Sequence, residues 1–136
     1  MRKNYKLDNH IKSYIKKELY NYEHNKKKLS DLQEEILEGS ATADGQPRGN
    51  NTSDTTFQKA EKLITSRSIL IVTKKLQNID SALNKLNEEE REIAKIIFFK
   101  GHKQVYAQMH DNITKDMYYN VMAKTIYLTA IEYEVI

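Results

Sequence analysis

The stretch LNEEEREIAKIIFFKGH, residues 86–102, contains the signals for a complete helix. Asn87 stands at an N-cap position, and Glu90, three residues later, completes a variant of the capping box. The glutamates of the first turn suit the positive end of the helix dipole. Gly101 is a suitable residue to end the helix, so we predict a helix over residues 88–100. Its apolar face consists of Ile93, Ile96, Ile97 and Phe98.

Two more helices follow this one after short turns. The pattern predicts them over residues 103–109 and 115–131, with Thr114 as the N-cap of the last helix. The expected apolar positions of the last helix are Met117, Val121, Ile126, Leu128 and Ile131. Three consecutive helices joined by short turns are typical of a helix-turn-helix region.

In a helix-turn-helix, the last helix lies in the major groove of DNA and its N-terminal residues reach the base edges. Asn reads adenine, Lys reaches guanine or phosphate, and Tyr hydroxyls bond phosphates. We therefore predict a DNA-binding set of Lys103, Thr114, Lys115, Tyr118, Tyr119, Asn120 and Lys124, and the same stretch carries Asp116 and Met122. Adjacent helical residues point about 100° apart, so we expect either Tyr118 or Tyr119 to pack in the core.

A long helix is predicted N-terminal to this region, over residues 7–37. Its apolar residues recur at heptad spacing, interrupted at Glu18 and Asn25, and the helix should end at Gly39. The stripe consists of Leu7, Ile11, Tyr14, Ile15, Tyr22, Leu29, Leu32 and Ile36.

A second long helix is predicted to begin at Asp54 and to end near residue 86. Its stripe consists of Ala60, Leu63, Ile64, Val72, Leu76, Ile79, Leu83 and Leu86. Because a lone helix of this length cannot bury its stripe, we expect the two long helices to pair with each other or with another subunit. The stripe over residues 11–36 favours a homo-oligomer.

The connector between the long helices, residues 39–53, contains three of the four glycines and the only proline, Pro47. It is longer than the ~2–8 residues usual between bundled helices. Two interpretations remain open. The connector is either a surface linker or a defined turn that presents Arg48 to DNA phosphate or to a partner such as RNA polymerase.

The composition argues against an enzyme. The chain of 136 residues has no cysteine, which excludes disulfides, thiolate metal sites and cysteine nucleophiles. Its histidines, His10, His24, His102 and His110, show no metal-ligand spacing, and we expect the last two to lie at the surface. We therefore expect no catalytic residue, metal or cofactor. No apolar run approaches ~18 residues and no signal-peptide core is present, so we expect an intracellular protein that makes no membrane contact.

The charge distribution permits nucleic-acid binding without requiring it. The net charge is +3, but residues 87–136 hold six basic and eight acidic residues. Residues 54–86 hold six basic and three acidic residues. The composition therefore predicts no basic patch on the C-terminal region.

The stretch EEILEGSATADGQPRGNNTSDTTFQKAEKL, residues 34–63, together with residues 86–102, resembles the RinA/ArpU-type transcriptional regulators of phages and prophages of Gram-positive bacteria. The DGQPRG segment, residues 44–49, is the most specific part of the likeness. The resemblance implies a C-terminal region similar to sigma-factor region 4. It also implies promoter binding that activates late packaging and morphogenesis genes in the cytoplasm of the bacterial host. The chain departs from the family at Met117, where Thr is usual, and at Asn120, where a basic residue is usual.

The sequence thus predicts an all-α protein with a long helical hairpin or coiled-coil arm and a C-terminal helix-turn-helix similar to sigma region 4. The expected parts are an N-terminal arm, 1–38, a connector, 39–53, a second long helix, 54–86, and a DNA-binding region, 87–136. The expected partners are double-stranded DNA, RNA polymerase and further copies of the chain. The alternative function is a helical protein-interaction adaptor that does not bind DNA.

Overall fold

The computed structural model of the protein describes the backbone of residues 5–42 and 52–136 and the side chains of residues 5–36 and 66–136. Within these ranges the chain forms helices and no strand, which confirms the predicted all-α class. The helices are α1 (Asn9–Tyr20), α2 (Tyr22–Thr42), α3 (Thr52–Asn84), α4 (Glu88–Ala94) with a π-helical turn (Lys95–Phe99), α5 (Gln104–His110) and α6 (Lys115–Glu132). Across the described parts of the chain, none of these helices combines the length and the apolar character that crossing a membrane requires.

The chain divides into two compact units. One comprises Met1–Glu23 with Lys75–Ile136, and the other comprises His24–Lys74. The predicted DNA-binding region, 87–136, is therefore not a unit of its own, because α1 and the end of α3 share its core. A boundary placed from local sequence signals misses such a shared core, since its contacts join residues far apart in the chain.

Helix α6 lies at the centre of the first unit, where it contacts α1, α4 and α5. Each of the helices α1 to α6 contributes buried apolar side chains to the core, whose most buried members include Ile15, Leu19, Ile79, Ile97, Val121 and Ile126. Of the apolar positions predicted on α6, Met117 and Leu128 are only half-buried and Ile131 is exposed. The prediction for Ile131 is wrong because two threonines fill the core side of the last turns of α6.

These threonines are Thr125 and Thr129, and both are fully buried. The hydroxyl of Thr125 donates to the carbonyl oxygen of Val121 at 2.7 Å, and that of Thr129 donates to the carbonyl oxygen of Thr125 at 2.7 Å. Each hydroxyl is thus satisfied within its own helix, and the remaining methyl group packs like an apolar residue. Periodicity that counts only apolar residues does not detect such positions.

The first predicted long helix is two helices. α1 ends at Tyr20, Asn21 takes φ −90° and ψ 3°, and α2 begins at Tyr22. Tyr22 is held by its hydroxyl, which donates to Asp80 Oδ1 at 2.7 Å, and by its ring, which stacks on Phe99 with centroids 4.3 Å apart. Ile15 and Tyr22 are therefore buried in the chain's own core, and the argument that these two positions need another subunit is wrong.

The interruption of the predicted stripe at Glu18 is explained by an ion pair. Glu18 is buried, and its Oε1 lies 2.8 Å from Lys75 Nζ. The hydrogen bond to Glu18 raises the pKa of Lys75, against the lowering effect of burial. A buried charge is tolerated when it is paired in this way. The pair joins α1 to α3 inside the first unit.

The ends of α2 and α3 differ from the prediction. α2 runs to Thr42 with Gly39 inside it, and α3 begins at Thr52 instead of Asp54. A glycine costs a helix only about 1 kcal/mol relative to alanine, so it does not end a helix whose neighbouring residues continue it. Arg48 and most of the predicted connector, 39–53, lie outside the described residues.

The capping box predicted at the start of α4 is confirmed. Asn87 Oδ1 accepts the backbone N–H of Glu90 at 2.8 Å, and the Asn87 N–H donates to Glu90 Oε1 at 3.1 Å. The predicted helix 88–100, however, changes to a π-helical turn at Lys95. The wider turn accommodates Ile97 and Phe98 in the core while Phe99 stacks on Tyr22. Gly101, at φ 69°, follows the helix end as predicted.

We expect Ile97→Ala to lower the free energy of unfolding by about 2–5 kcal/mol, because it removes a fully buried side chain and leaves a cavity. Urea unfolding followed by circular dichroism measures the change. Met109→Ala is the matched control, since Met109 is 81% exposed and its loss should change the stability by no more than about 0.5 kcal/mol. Equal effects of the two substitutions would contradict the assigned core.

Candidate nucleic-acid interface

The turn between α5 and α6 positions the start of α6. Asn112 adopts φ 57°, a left-handed conformation that asparagine tolerates better than most residues. The backbone N–H of Ile113 then donates to the carbonyl oxygen of Ala107 at 3.2 Å, and the Ile113 side chain is buried. A left-handed residue and a buried anchor thus set the direction in which α6 leaves α5.

Thr114 caps α6, as predicted. Its Oγ1 accepts the backbone N–H of Met117 at 3.2 Å, and its backbone is extended. The threonine side chain is exposed. Because a hydroxyl both accepts and donates, the Thr114 proton remains free to bond an external acceptor.

The first two turns of α6 present polar side chains to solvent. Lys115, Tyr119 and Asn120 are exposed, and the Tyr119 residue is 49% accessible. Lys103 is exposed at the N-cap of α5. Asp116 is exposed beside Lys115, so the surface is not uniformly positive. Five of the seven predicted DNA-binding residues, Lys103, Thr114, Lys115, Tyr119 and Asn120, therefore lie at the surface.

Tyr118 is the tyrosine of the pair that packs in the core. It is 4% exposed, and its hydroxyl donates to the carbonyl oxygen of His102 at 2.7 Å. The expectation that one of Tyr118 and Tyr119 is a core residue is confirmed, and the assignment of Tyr118 to a DNA surface is wrong. Its partner lies 16 residues away, after the turn at Gly101, where no local pattern identifies it. Met122, on the same stretch, is also buried.

Lys124 is bound within the protein. Its Nζ lies 3.0 Å from both carboxylate oxygens of Glu90, and 31% of the lysine side chain and 18% of the glutamate side chain are exposed. Glu90 thus bonds Asn87 in its own helix and Lys124 in α6. The DNA contact of Lys124 stays a prediction, and it would require the ammonium group to exchange the Glu90 carboxylate for a phosphate.

The environment of Glu90 changes its ionisation. Burial raises the pKa of Glu90. The hydrogen bonds from Lys124 and from the Asn87 backbone, together with the charge of Lys124, lower it by more than burial raises it. The net result is a pKa below the ordinary value of 4.5. A carboxylate with a lowered pKa contributes stability above the pKa of the unfolded chain, and that stability is lost as the pH falls through the folded-state pKa.

A cluster of polar side chains lies at the C-terminal end of α5. Asp111 Oδ2 lies 2.7 Å from His102 Nδ1, and Asp111 Oδ1 lies 3.1 Å from His110 Nδ1. The Tyr106 ring stacks on His110 with centroids 4.8 Å apart. The hydrogen bonds with His102 and His110 lower the pKa of Asp111. His110 is exposed as expected, but His102 is half-buried because it packs against α5.

This cluster does not amount to a metal centre. The described part of the chain brings together no group of three or more His, Asp or Glu residues that could hold a metal ion. Both oxygens of Asp111 are engaged by imidazole nitrogens. Instead, the hydrogen bond between Asp111 and His102 joins the end of α5 to His102. Because the carbonyl oxygen of His102 also accepts the Tyr118 hydroxyl, this contact stabilises the position of α6.

An open groove of about 460 Å³ lies between α4 and the start of α6. Carboxylates and apolar side chains share its lining, which consists of Glu89, Glu92, Ile93, Ile96, Asp111, Asn112, Ile113, Thr114 and Met117. Glu89 and Glu92 are exposed. The sequence interpretation missed this groove, because it assigned the glutamates only to the helix dipole and the isoleucines only to the core.

No protein-family model, no curated protein and no solved structure matches the chain.

We expect Lys124→Met to lower the free energy of unfolding by about 1–2 kcal/mol near neutral pH, because it leaves the largely buried Glu90 carboxylate without its partner. Since the pKa of Glu90 is lowered, the difference from the parent protein should shrink as the pH falls below about 4.5. Urea unfolding between about pH 7 and pH 3 measures both effects. Lys115→Met, at an exposed site on the same helix, is the control and should have little effect. A difference that stays constant down to pH 3 would contradict the role of the pair.

Proposed function

We propose that the protein binds double-stranded DNA through α5, the turn and α6, with the first two turns of α6 in the major groove. The observation that carries the proposal is that the first two turns of α6 carry exposed polar side chains, while the opposite face of the helix is buried in the core. Lys115, Tyr119 and Asn120 are exposed, whereas Tyr118, Val121 and later positions anchor the helix in the core. A recognition helix requires this combination, since its contacting side chains must be free and its axis must be held firmly.

Each exposed side chain has a role in the proposed complex. Asn120 makes paired hydrogen bonds with the N6 and N7 atoms of adenine. Lys115 and Lys103 contact phosphates or guanine, and the hydroxyls of Tyr119 and Thr114 donate to phosphate oxygens. Phosphate contacts set the register of the protein on the duplex, whereas Asn120 supplies the sequence preference.

The proposed interface has few positive charges. Lys124 is neutralised by Glu90, which leaves Lys103 and Lys115 as the cations of the predicted set. Each phosphate neutralised contributes about 0.9 to the slope of log affinity against log salt concentration. One copy of the chain should therefore show a slope near 2, which is shallow for a DNA-binding protein.

The regulatory role rests on the resemblance to RinA/ArpU-type regulators. On that basis the proposal extends to activation of phage late packaging and morphogenesis genes in the bacterial cytoplasm, with RNA polymerase as a further partner. Arg48, within the DGQPRG segment, is the residue proposed for a contact with DNA phosphate or with that partner. The segment lies outside the described residues, so its part in the proposal depends on the sequence alone.

A second candidate function is a helical protein-interaction adaptor without DNA binding. The observation that favours it is the apolar surface of α5, where Val105 is 64% and Met109 81% exposed. The half-exposed ring of Tyr106 lies one turn from Met109 on the same helix. Exposed apolar clusters of this kind mark protein contacts more often than phosphate contacts.

We expect Asn120→Ala to weaken binding to the preferred DNA site by about 1–3 kcal/mol and to leave binding to random DNA nearly unchanged. Lys115→Ala should weaken binding to both DNAs and reduce the salt slope by about 1. The preferred site is found first by selection from a random duplex library, and fluorescence anisotropy then measures the affinities.

Lys27→Ala removes the same charge from an exposed position on α2 and is the matched control, which should bind like the parent protein. If selection enriches no sequence and the parent protein binds no duplex even at low salt, DNA binding is excluded and the adaptor function is favoured. Equal losses from Asn120→Ala on preferred and random DNA would remove base reading by that residue.

A further inference from the structure

An apolar pair on α3 is exposed between two cations. Leu70 is 69% and Ile71 58% exposed, and Arg67 and Lys74 are exposed one turn before and one turn after them. Spacings of three and four residues place all four side chains on one face of the helix. We call these four residues the basic-flanked patch.

The charges of this patch disfavour its pairing with itself. In an antiparallel contact between two copies of α3, Arg67 would face Lys74, and in a parallel contact each cation would face its own copy. Both arrangements place like charges opposite each other around a desolvated pair of aliphatic side chains, which is unfavourable. The complementary surface must therefore combine carboxylates with an apolar floor.

The groove between α4 and α6 has this chemistry. Its floor includes Ile93, Ile96 and Met117, and Glu89 and Glu92 supply carboxylates. The two glutamates are exposed, and Glu92 has only a weak contact with Lys95, with Oε1 3.7 Å from Nζ. We call this groove the acidic groove. Both oxygens of Asp111 in its lining are engaged by histidines, so Glu89 and Glu92 are the carboxylates that can pair with incoming cations.

We propose that the basic-flanked patch of one copy of the chain docks in the acidic groove of a second copy. Leu70 and Ile71 cover the isoleucines of the groove, and Arg67 and Lys74 pair with Glu89 and Glu92. The interface joins two different surfaces, so a docked pair still has one free groove, on the copy that supplied the patch, and one free patch, on the copy that supplied the groove. Such a head-to-tail contact builds closed rings or open chains of copies, in contrast to a symmetric dimer.

The docking surface and the proposed DNA surface meet at the start of α6, because Thr114 lines the groove and Asn120 lies three residues after Met117, on the same side of the helix. Tyr119 lies outside this overlap. Met117 belongs to the groove and Tyr119 to the exposed start of the helix. Two residues along a helix correspond to a rotation of about 200°, so these side chains point in nearly opposite directions. Docking therefore leaves Tyr119 accessible, and the proposal does not depend on DNA binding.

Charge reversal on each surface tests the proposal. In the first variant, Arg67→Glu with Lys74→Glu makes the patch acidic, and in the second, Glu89→Lys with Glu92→Lys makes the groove basic. Sedimentation velocity at increasing protein concentration should show that the parent chain associates and that either variant alone associates at least about tenfold more weakly. A mixture of the two variants should associate again, because the parent patch meets the parent groove and the reversed patch meets the reversed groove.

The matched controls make the same charge changes on exposed residues of α2, with Lys26→Glu and Lys28→Glu in one chain and Glu34→Lys and Glu35→Lys in the other. Both controls should associate like the parent, which separates docking from general charge attraction. Circular dichroism and thermal unfolding establish that each variant is folded, and Glu89→Gln with Glu92→Gln is a milder replacement if the lysines destabilise α4. A parent chain that stays monomeric, or a mixture that does not associate, overturns the proposal.

Discussion

The hydrogen-bonded ion pair of Glu90 and Lys124 connects the start of α4 to the middle of α6, and the geometry of the candidate interface depends on it. Glu90 accepts the N–H of Asn87 and both of its oxygens lie 3.0 Å from Lys124 Nζ, so one carboxylate caps one helix and holds another. With the middle of α6 held in this way, its first two turns project polar side chains, and a groove opens on the side of α4. The same pair removes Lys124 from the surface charge, which lowers the positive potential that any DNA would meet.

Local sequence signals predicted the elements of this region and their ends with good accuracy. The capping box at Asn87, the cap at Thr114 and the glycine at Gly101 each act within a few residues, so their chemistry can be read directly from the chain. The π-helical turn was not predictable, since it arises from packing that brings Phe99 onto the ring of Tyr22. The hydrogen bonds of Tyr118 and Lys124 were not predictable from local sequence either, because their partners lie 16 and 34 residues away. Local pattern thus established which residues start and end helices, while tertiary contacts decided which polar side chains remain free.

The charges of α4 have two separate consequences. Within the chain, the glutamates of its first turn favour the helix dipole and provide the partner for Lys124. Outward, Glu89 and Glu92 repel phosphate and attract cations. Residues 87–136 contain more acidic than basic residues, and this total argues against DNA binding. Part of the acidic excess lies in the groove, at Glu89 and Glu92. The exposed side of Tyr119 faces away from these two carboxylates, so the composition of the region understates what the start of α6 is able to bind.

The proposed self-docking affects the proposed DNA binding because it increases the number of linked copies that can contact one duplex. One copy offers two exposed lysines of the predicted set, which is few for a phosphate backbone that dominates affinity through its charge. Copies joined head to tail would carry several α6 helices in one assembly, and each further contact with the same duplex would then form at a high effective concentration. The shallow salt dependence expected of one copy would become steeper in proportion to the number of copies engaged. A chain with a weakly basic recognition surface therefore has a physical reason to associate. Tyr119 points away from Met117 and stays accessible in a docked copy, whereas Thr114 lines the docked groove, so docking and the phosphate contact of Thr114 compete within one copy.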